Sequence, residues 1–256
     1  MWFLAVPIAL VAGAAMGWIN NVAGGAGVFA LWALQYAWDL PIEVANPTAR
    51  VAAVAIGLFS FLGYLRHGHR PPPRSWGHAV FSIPGAVLGS RLALALPQVV
   101  FRAYLAAVVL LLLRQQLRPA PARAAREPPA WQPALGCLLI GLHMGYAQIG
   151  AGLLTALLLA GAYRHDLVAV NAAKSVVVIL TAVSSVVTFG AAHMIQWLPG
   201  CCVAGGAACG SYVASRWSVR KGSSAVRRVV IAIALLTLIE QLVHLAIAIG
   251  SASAAR

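Results

Sequence analysis

Charged side chains are scarce in this chain, and acidic ones are nearly absent. Only 9% of its 256 residues are charged, and 5 Asp and Glu stand against 18 Lys and Arg. Soluble domains carry about one quarter charged residues, so the composition argues against a soluble globular enzyme. The 61% of hydrophobic residues instead predict an all-α polytopic membrane protein. At about 20 residues per span, the length allows eight to ten segments.

Motifs for catalysis and metal binding are also missing. The chain has no HExxH, no GxSxG and no Walker loop, and no loop is long enough for an ATPase domain. Its four cysteines show neither CxxC nor Cys/His metal spacing. We therefore expect no cofactor, no metal and no enzyme, and interpret the cysteines as small residues of apolar segments. A redox or substrate-contacting role remains open for the adjacent pair Cys201 and Cys202.

Apolar segments follow one another in the same order twice, with Pro, Gly and Arg between them. The ten predicted segments are residues 2–19, 28–38, 46–65, 76–96, 99–117, 131–145, 153–163, 171–189, 197–215 and 226–249. The Pro- and Arg-rich stretch between the fifth and sixth segments cannot build a core. We expect a first membrane repeat at 1–117, a cytoplasmic linker at 118–130, a second membrane repeat at 131–250 and a tail at 251–256.

Polar and glycine positions support this internal repeat. These residues occur in the same order in both halves. Matches of Leu and Ala alone would not establish a repeat, because these residues are common in all membrane segments. At a spacing of 125, 128 or 121 residues, the matching pairs are Gly25 and Gly150, Gly27 and Gly152, Asn46 and Asn171, Gly13 and Gly141, Gly17 and Gly145, Gly85 and Gly206, and Gly89 and Gly210.

The positions of the cations predict how the two halves are oriented. With an odd number of segments per half, thirteen cations fall on one face, as expected for cytoplasmic loops. They are Arg66, Arg70, Arg74, Arg114, Arg118, Arg123, Arg126, Arg164, Arg216, Arg220, Lys221, Arg227 and Arg228. An even number would scatter them over both faces. We therefore predict two inverted repeats of about five segments each, with basic loops that meet anionic headgroups rather than nucleic acid.

The second segment of each half is short and follows a glycine-rich stretch. Residues 28–38 cover only about half a bilayer at 1.5 Å per residue. Such interrupted segments at matching places indicate a transporter's binding site, because a broken helix exposes backbone N–H groups and glycine lets an anion approach them. Close helix packing is the alternative. The candidate residues of the two breaks are Asn20, Asn21, Gly24, Gly25, Gly27, Gln148, Gly150 and Gly152.

Each half also carries an Asn followed, one helical turn later, by a cation. Asn46 precedes Arg50, and Asn171 precedes Lys174, so the two side chains of each pair share a helix face. A cation within the membrane is costly and indicates function. We expect both pairs to bind the anion. The alternatives are cations that snorkel from helix ends to the headgroups, and an Asn46 that only caps a helix.

These features resemble the TauE/SafE family of sulfite exporter-like permeases. The resemblance rests on two glycine-rich breaks, on GYAQIGAGLL at 145–154 and on NAAK at 171–174, and it covers nearly the whole chain. The chain departs from the family where Ala26 interrupts the first glycine run and where Leu31 and Trp32 stand in place of a proline. The resemblance implies a multi-pass carrier of the bacterial inner membrane for sulfite, sulfonates or related organic anions.

We therefore expect a secondary transporter, most simply an exporter, that works by alternating access between the inverted repeats. Coupling to an ion gradient or facilitated export are both open, with Asp39, Glu43 and Asp166 as the loop acids nearest the site. A homodimer is also open. The alternatives for function are an anion channel of the same fold and an intramembrane enzyme or assembly subunit.

Overall fold

The regular structure of the described residues is helical. The computed structural model describes residues 2–97 except 23 and 25, residues 100, 104 and 107, residues 131–162 except 149, and residues 167–254. All elements within these residues are helices, which confirms the predicted all-α fold class. Gly25, Asp166, the linker at 118–130 and most of the segment at 99–117 lie outside the described residues, so their placement stays a prediction.

Nine helices make up the described part of the chain. They are α1 (Trp2–Val22), α2 (Gly27–Trp32, continued by a π-helical stretch Ala33–Ala37), α3 (Ile42–Arg66), α4 (Pro73–Val80), α5 (Ser82–Ala95), α6 (Trp131–Tyr146), α7 (Ala151–Ala162), α8 (Leu167–Ala191) and α9 (Trp197–Ala254). Four described stretches are long and apolar enough to cross a membrane: Phe3–Val22, Ile42–Arg66, Pro73–Ala95 and Leu167–Ala191. The total of eight to ten spans stays a prediction.

The structure departs from the sequence prediction most clearly in two places. The segment at 76–96 is two helices that meet at Phe81, because Pro84 has no N–H to donate to the carbonyl four residues earlier. The basic stretch at 216–228 is not an extended loop, because two helices meet within it at Gly222. Only Gly222, with φ of +72°, leaves helical geometry there, and the surrounding Arg, Lys and Ala residues favour helix.

Helices α3 and α8 cross at the centre of the fold and run antiparallel. Gly57 packs against Ile179 near the middle of both helices, while Tyr64 packs against Val168 and Ala172 near their ends. The matched Asn46 and Asn171 mark α3 and α8 as equivalent helices. Because equivalent helices run in opposite directions, the two halves are inverted relative to each other.

Two membrane faces follow from this crossing. The Arg66 face is the side on which α3 ends and α8 begins, and the Glu43 face is the side on which α3 begins and α8 ends. Arg66, Arg70 and Arg74 lie at or just beyond the end of α3 and are exposed. The first of these faces therefore carries the basic loop that the sequence assigned to the cytoplasm.

The outer helices of one half pack against those of the other half through small residues. A Cβ atom at Gly13 or Gly17 of α1 would overlap the carbonyl oxygens of Val203 or Ala207 in α9. Helices α5 and α6, the repeat counterparts of α9 and α1, pack in the same way. A Cβ at any of four glycines would overlap a carbonyl of the facing helix. These four glycines are Gly85, Gly89, Gly141 and Gly145. Small residues at four-residue spacing permit such close approach.

Candidate functional site

Both glycine-rich stretches break a helix, as the sequence predicted. After α1, Gly24 adopts φ of +82° and donates its N–H to the carbonyl of Ile19 at 3.1 Å. After α6, Gln148 has φ of +59° and Gly150 has φ of +76°, and the Gln148 N–H reaches the carbonyl of His143 at 3.3 Å. The left-handed region favours glycine, so Gln148 is the strained member of the two turns.

The two breaks contact each other. A Cβ atom at Gly152, in the first turn of α7, would lie 2.8 Å from the Cα of Gly24 and 2.7 Å from the Asn20 Oδ1 atom. Gly27, at the start of α2, is buried but has open space where a Cβ would stand. Asn20 and Asn21 belong to the last turn of α1 rather than to the loop, because that helix continues to Val22.

Arg50 of α3 reaches across to the end of α6 in the other half. Its guanidinium donates to the backbone carbonyls of Met144, Gly145 and Tyr146. It also donates to Asn46 Oδ1 at 3.2 Å, and Asn46 Nδ2 donates to the Tyr146 carbonyl at 3.5 Å. The last carbonyls of a helix have no partner within the helix. Arg50 therefore caps the broken end of α6.

Lys174 of α8 makes the equivalent contact with the end of α1. Its ammonium donates to the carbonyl of Asn20 at 3.0 Å and to that of Asn21 at 2.7 Å. Asn171 Nδ2 donates to the carbonyl of Val22 at 3.3 Å. Each half thus provides an Asn and a cation that cap the broken helix of the other half.

This arrangement decides two of the alternatives that the sequence left open, the one for the cations and the one for Asn46. Arg50 is 1% exposed and Lys174 is 3% exposed, so neither side chain snorkels to the headgroups. Asn46 lies five residues into α3, which begins at Ile42, and therefore does not cap that helix. The two cations lie beside helix C-termini, where positive charge is favourable, and not beside the N-termini that the sequence argument emphasised.

Two cavities of different size lie at the two cation sites. A cavity of about 320 Å³ opens toward the Glu43 face and is lined by Glu43, Asn46, Phe189 and Met194 among others. We name it the vestibule. The cavity beside Lys174, lined by Asn20, Asn21, Ser60 and Asn171 among others, measures only about 10 Å³. That volume holds about one water molecule, so the Lys174 site is closed in this conformation.

Sequence reasoning missed two aromatic residues at these sites. The Arg50 guanidinium lies 5.7 Å from the centre of the Phe189 ring. The Tyr64 hydroxyl donates to Asn21 Oδ1 at 3.0 Å. Tyr64 and Phe189 are 125 residues apart, which is the spacing of the repeat. That spacing is the signal that could have found them.

Of the remaining polar candidates, Glu43 lies at a cation site. Asp39 is exposed with φ of +53°, and Glu43 lines the vestibule. Cys201 is exposed and Cys202 is half-buried. No group of three His, Cys, Asp or Glu side chains that could hold a metal occurs among the described residues.

The fold and the capped breaks define an integral membrane protein built of two inverted halves, each with an interrupted helix at the centre. Residues 9–240 match the family model of the sulfite exporter TauE/SafE, and the chain belongs to this family. The family is one of membrane transporters. No curated protein and no solved structure matches the chain.

Proposed function

We propose that this chain is a secondary transporter that exports small sulfur-containing or organic anions, such as sulfite or sulfonates, across the bacterial inner membrane. Arg50, Lys174, Asn46, Asn171 and the glycines of the two breaks are the proposed binding residues. Membership of a sulfite exporter family supports the class of substrate. The geometry of the two buried cations supports an anion path at the contact between the halves.

One observation carries the proposal: both cations are buried, and neither has an acidic partner among the described residues. Their described hydrogen-bond partners are backbone carbonyls and, for Arg50, the neutral amide of Asn46. The aligned carbonyls of a helix C-terminus amount to about half a negative charge, so each capped end retains net positive charge. An unpaired charge in an apolar medium is costly, and an anion that enters would offset this cost.

The two cavities support an alternating-access cycle. In the present conformation an anion can enter the vestibule from the Glu43 face and reach Asn46, while the Lys174 site is closed. A rocking of one half against the other would exchange these roles, because the two sites are equivalent under the inverted repeat. We propose that the Arg66 face is cytoplasmic, so the vestibule of this conformation opens to the outside.

The experiment is anion flux into proteoliposomes with sulfite, thiosulfate, sulfonates and carboxylates. Saturable flux of sulfite or a sulfonate supports the proposal, and flux of carboxylates alone would reject the sulfur-containing class. Arg50→Ala and Lys174→Ala should each abolish the flux, whereas Arg70→Ala, which removes an exposed cation on the Arg66 face, should preserve it. Normal transport by both site variants would show that the proposed site is wrong.

A further inference from the structure

Two fully buried aromatic side chains occupy equivalent places in the two halves. Tyr64 near the end of α3 and Phe189 near the end of α8 are 0% and 1% exposed. They are 125 residues apart, the same spacing that relates Asn46 to Asn171. Because α3 and α8 run antiparallel, each aromatic ring lies at the cation site of the other helix.

Phe189 separates the vestibule from Arg50. The ring lines the vestibule together with Asn46, and the Arg50 guanidinium lies 5.7 Å from the ring centre. Arg50 itself is 1% exposed and is hydrogen-bonded to Asn46 at 3.2 Å. An anion that enters from the Glu43 face therefore meets Phe189 and Asn46 before it can reach the guanidinium.

Tyr64 closes the other site by packing and by a hydrogen bond. Its ring packs against Val168 and Ala172 of α8, and its hydroxyl donates to Asn21 Oδ1 at 3.0 Å. The backbone carbonyl of the same Asn21 accepts from Lys174 at 2.7 Å. Ser60, one turn before Tyr64 on α3, lines the small cavity beside Lys174. Tyr64 thus lies between that cavity and the Arg66 face.

We infer that Phe189 and Tyr64 are the two gates of the anion path, Phe189 toward the Glu43 face and Tyr64 toward the Arg66 face. This inference rests on the proposed function, because it assigns how access to the same two cation sites is controlled. Each ring must leave its place before an anion can contact the cation behind it. In alternating access the two rings move in different states, so that the path is never open to both faces.

The two gates differ by one hydroxyl group, and both are closed in this structure. A phenylalanine offers only packing, whereas the buried tyrosine adds a hydrogen bond that must break when the gate opens. The small cavity of about 10 Å³ lies behind Tyr64, whereas the vestibule of about 320 Å³ lies outside Phe189.

Cysteine accessibility tests this inference without a substrate. Two near-isosteric reporters, Ser90→Cys and Ser60→Cys, are placed in a chain whose four native cysteines are replaced. Ser90 is buried at the Arg50 site and donates to the Gly145 carbonyl at 3.4 Å, while Ser60 is buried at the Lys174 site. A membrane-impermeant maleimide is applied from either face, in vesicles of known orientation. Met194→Cys, on the vestibule wall, reports open access from the Glu43 face.

With both gates intact, Met194→Cys should be labelled from the Glu43 face and both serine reporters should be protected. Phe189→Ala should accelerate labelling of Ser90→Cys from the Glu43 face by about tenfold or more, since an open state populated at about 10% or less becomes the main one. Phe189→Leu, which retains an apolar plug, is the matched control. Tyr64→Phe should accelerate labelling of Ser60→Cys from the Arg66 face by about two- to tenfold, the range of one hydrogen bond.

Unchanged labelling of Ser90→Cys in Phe189→Ala, or equal acceleration of both reporters from both faces, would overturn the inference. If Phe189→Ala does not fold, Tyr64→Phe decides, because it removes only the hydroxyl and leaves the ring in place. Sulfite flux is measured on the same vesicles. Correct labelling without flux rejects the proposed function and keeps the gates, whereas flux without the labelling pattern rejects the gates alone.

Discussion

Replacing Arg50 by leucine should destabilise the protein even when no anion is present. The guanidinium donates to the carbonyls of Met144, Gly145 and Tyr146 at the broken end of α6. Leucine would leave the Met144 carbonyl without a described partner and the other two with one long hydrogen bond each. A buried polar group left unsatisfied costs about 1–3 kcal/mol. The substitution also removes the desolvation penalty of the buried guanidinium, which offsets part of this cost. We therefore expect the free energy of unfolding to fall by about 2–4 kcal/mol.

The assay is thermal unfolding of the purified protein in detergent, in buffer without sulfur oxyanions. For a chain of this size, 1 kcal/mol corresponds to about 2–4 °C in Tm, which gives an expected decrease of about 4–16 °C for Arg50→Leu. Lys174→Leu should cause a smaller decrease, because the ammonium contacts two carbonyls rather than three. Arg66→Leu, an exposed cation at the end of α3, is the control and should shift Tm by less than about 2 °C.

A different role for Arg50 would give a different sign. Suppose that the guanidinium serves only to bind the anion and does not cap α6. Its removal would then eliminate an uncompensated buried charge, and the Tm of the anion-free protein should rise. A Tm for Arg50→Leu that equals or exceeds that of the unchanged protein, while Arg66→Leu behaves normally, would refute the capping argument.

Three other predictions concern the packing and the cysteines. Gly17→Ala should lower the free energy of unfolding by about 1–3 kcal/mol, because its Cβ would overlap the Ala207 carbonyl. Gly27→Ala has open space for the Cβ and should shift Tm little. Equal Tm values for the two variants would contradict the packing account. The Cys201→Ser and Cys202→Ser double variant should retain sulfite flux in proteoliposomes, and loss of flux would favour thiol chemistry.

The repeat, the helix breaks and the matched polar pairs could be predicted because each leaves a local mark in the sequence. Glycine runs mark a break, and a fixed spacing relates Asn46 to Asn171. The partners of the cations could not be predicted in this way. Arg50 binds carbonyls almost a hundred residues away, and backbone carbonyls carry no signature in the sequence of side chains. The contact depends on how the two halves pack against each other.

Two features were predictable in principle and were overlooked. Tyr64 and Phe189 obey the repeat spacing, but aromatic residues near the ends of apolar segments are common at membrane interfaces and attract little notice. The break at Phe81 follows from Pro84, yet an apolar run of this length also fits one continuous span. Hydrophobicity alone does not register the single hydrogen bond that a proline removes.

Counterflow in proteoliposomes tests the central claim most directly. Vesicles loaded with unlabelled sulfite are diluted into labelled sulfite, and uptake is compared with that of empty vesicles. A carrier with alternating access predicts faster, transient and saturable uptake into the loaded vesicles, and no uptake in the Arg50→Ala and Lys174→Ala variants. Uptake that neither saturates nor responds to internal sulfite would contradict the carrier and favour a channel, and absence of uptake for every sulfur-containing anion would contradict the proposed substrate class.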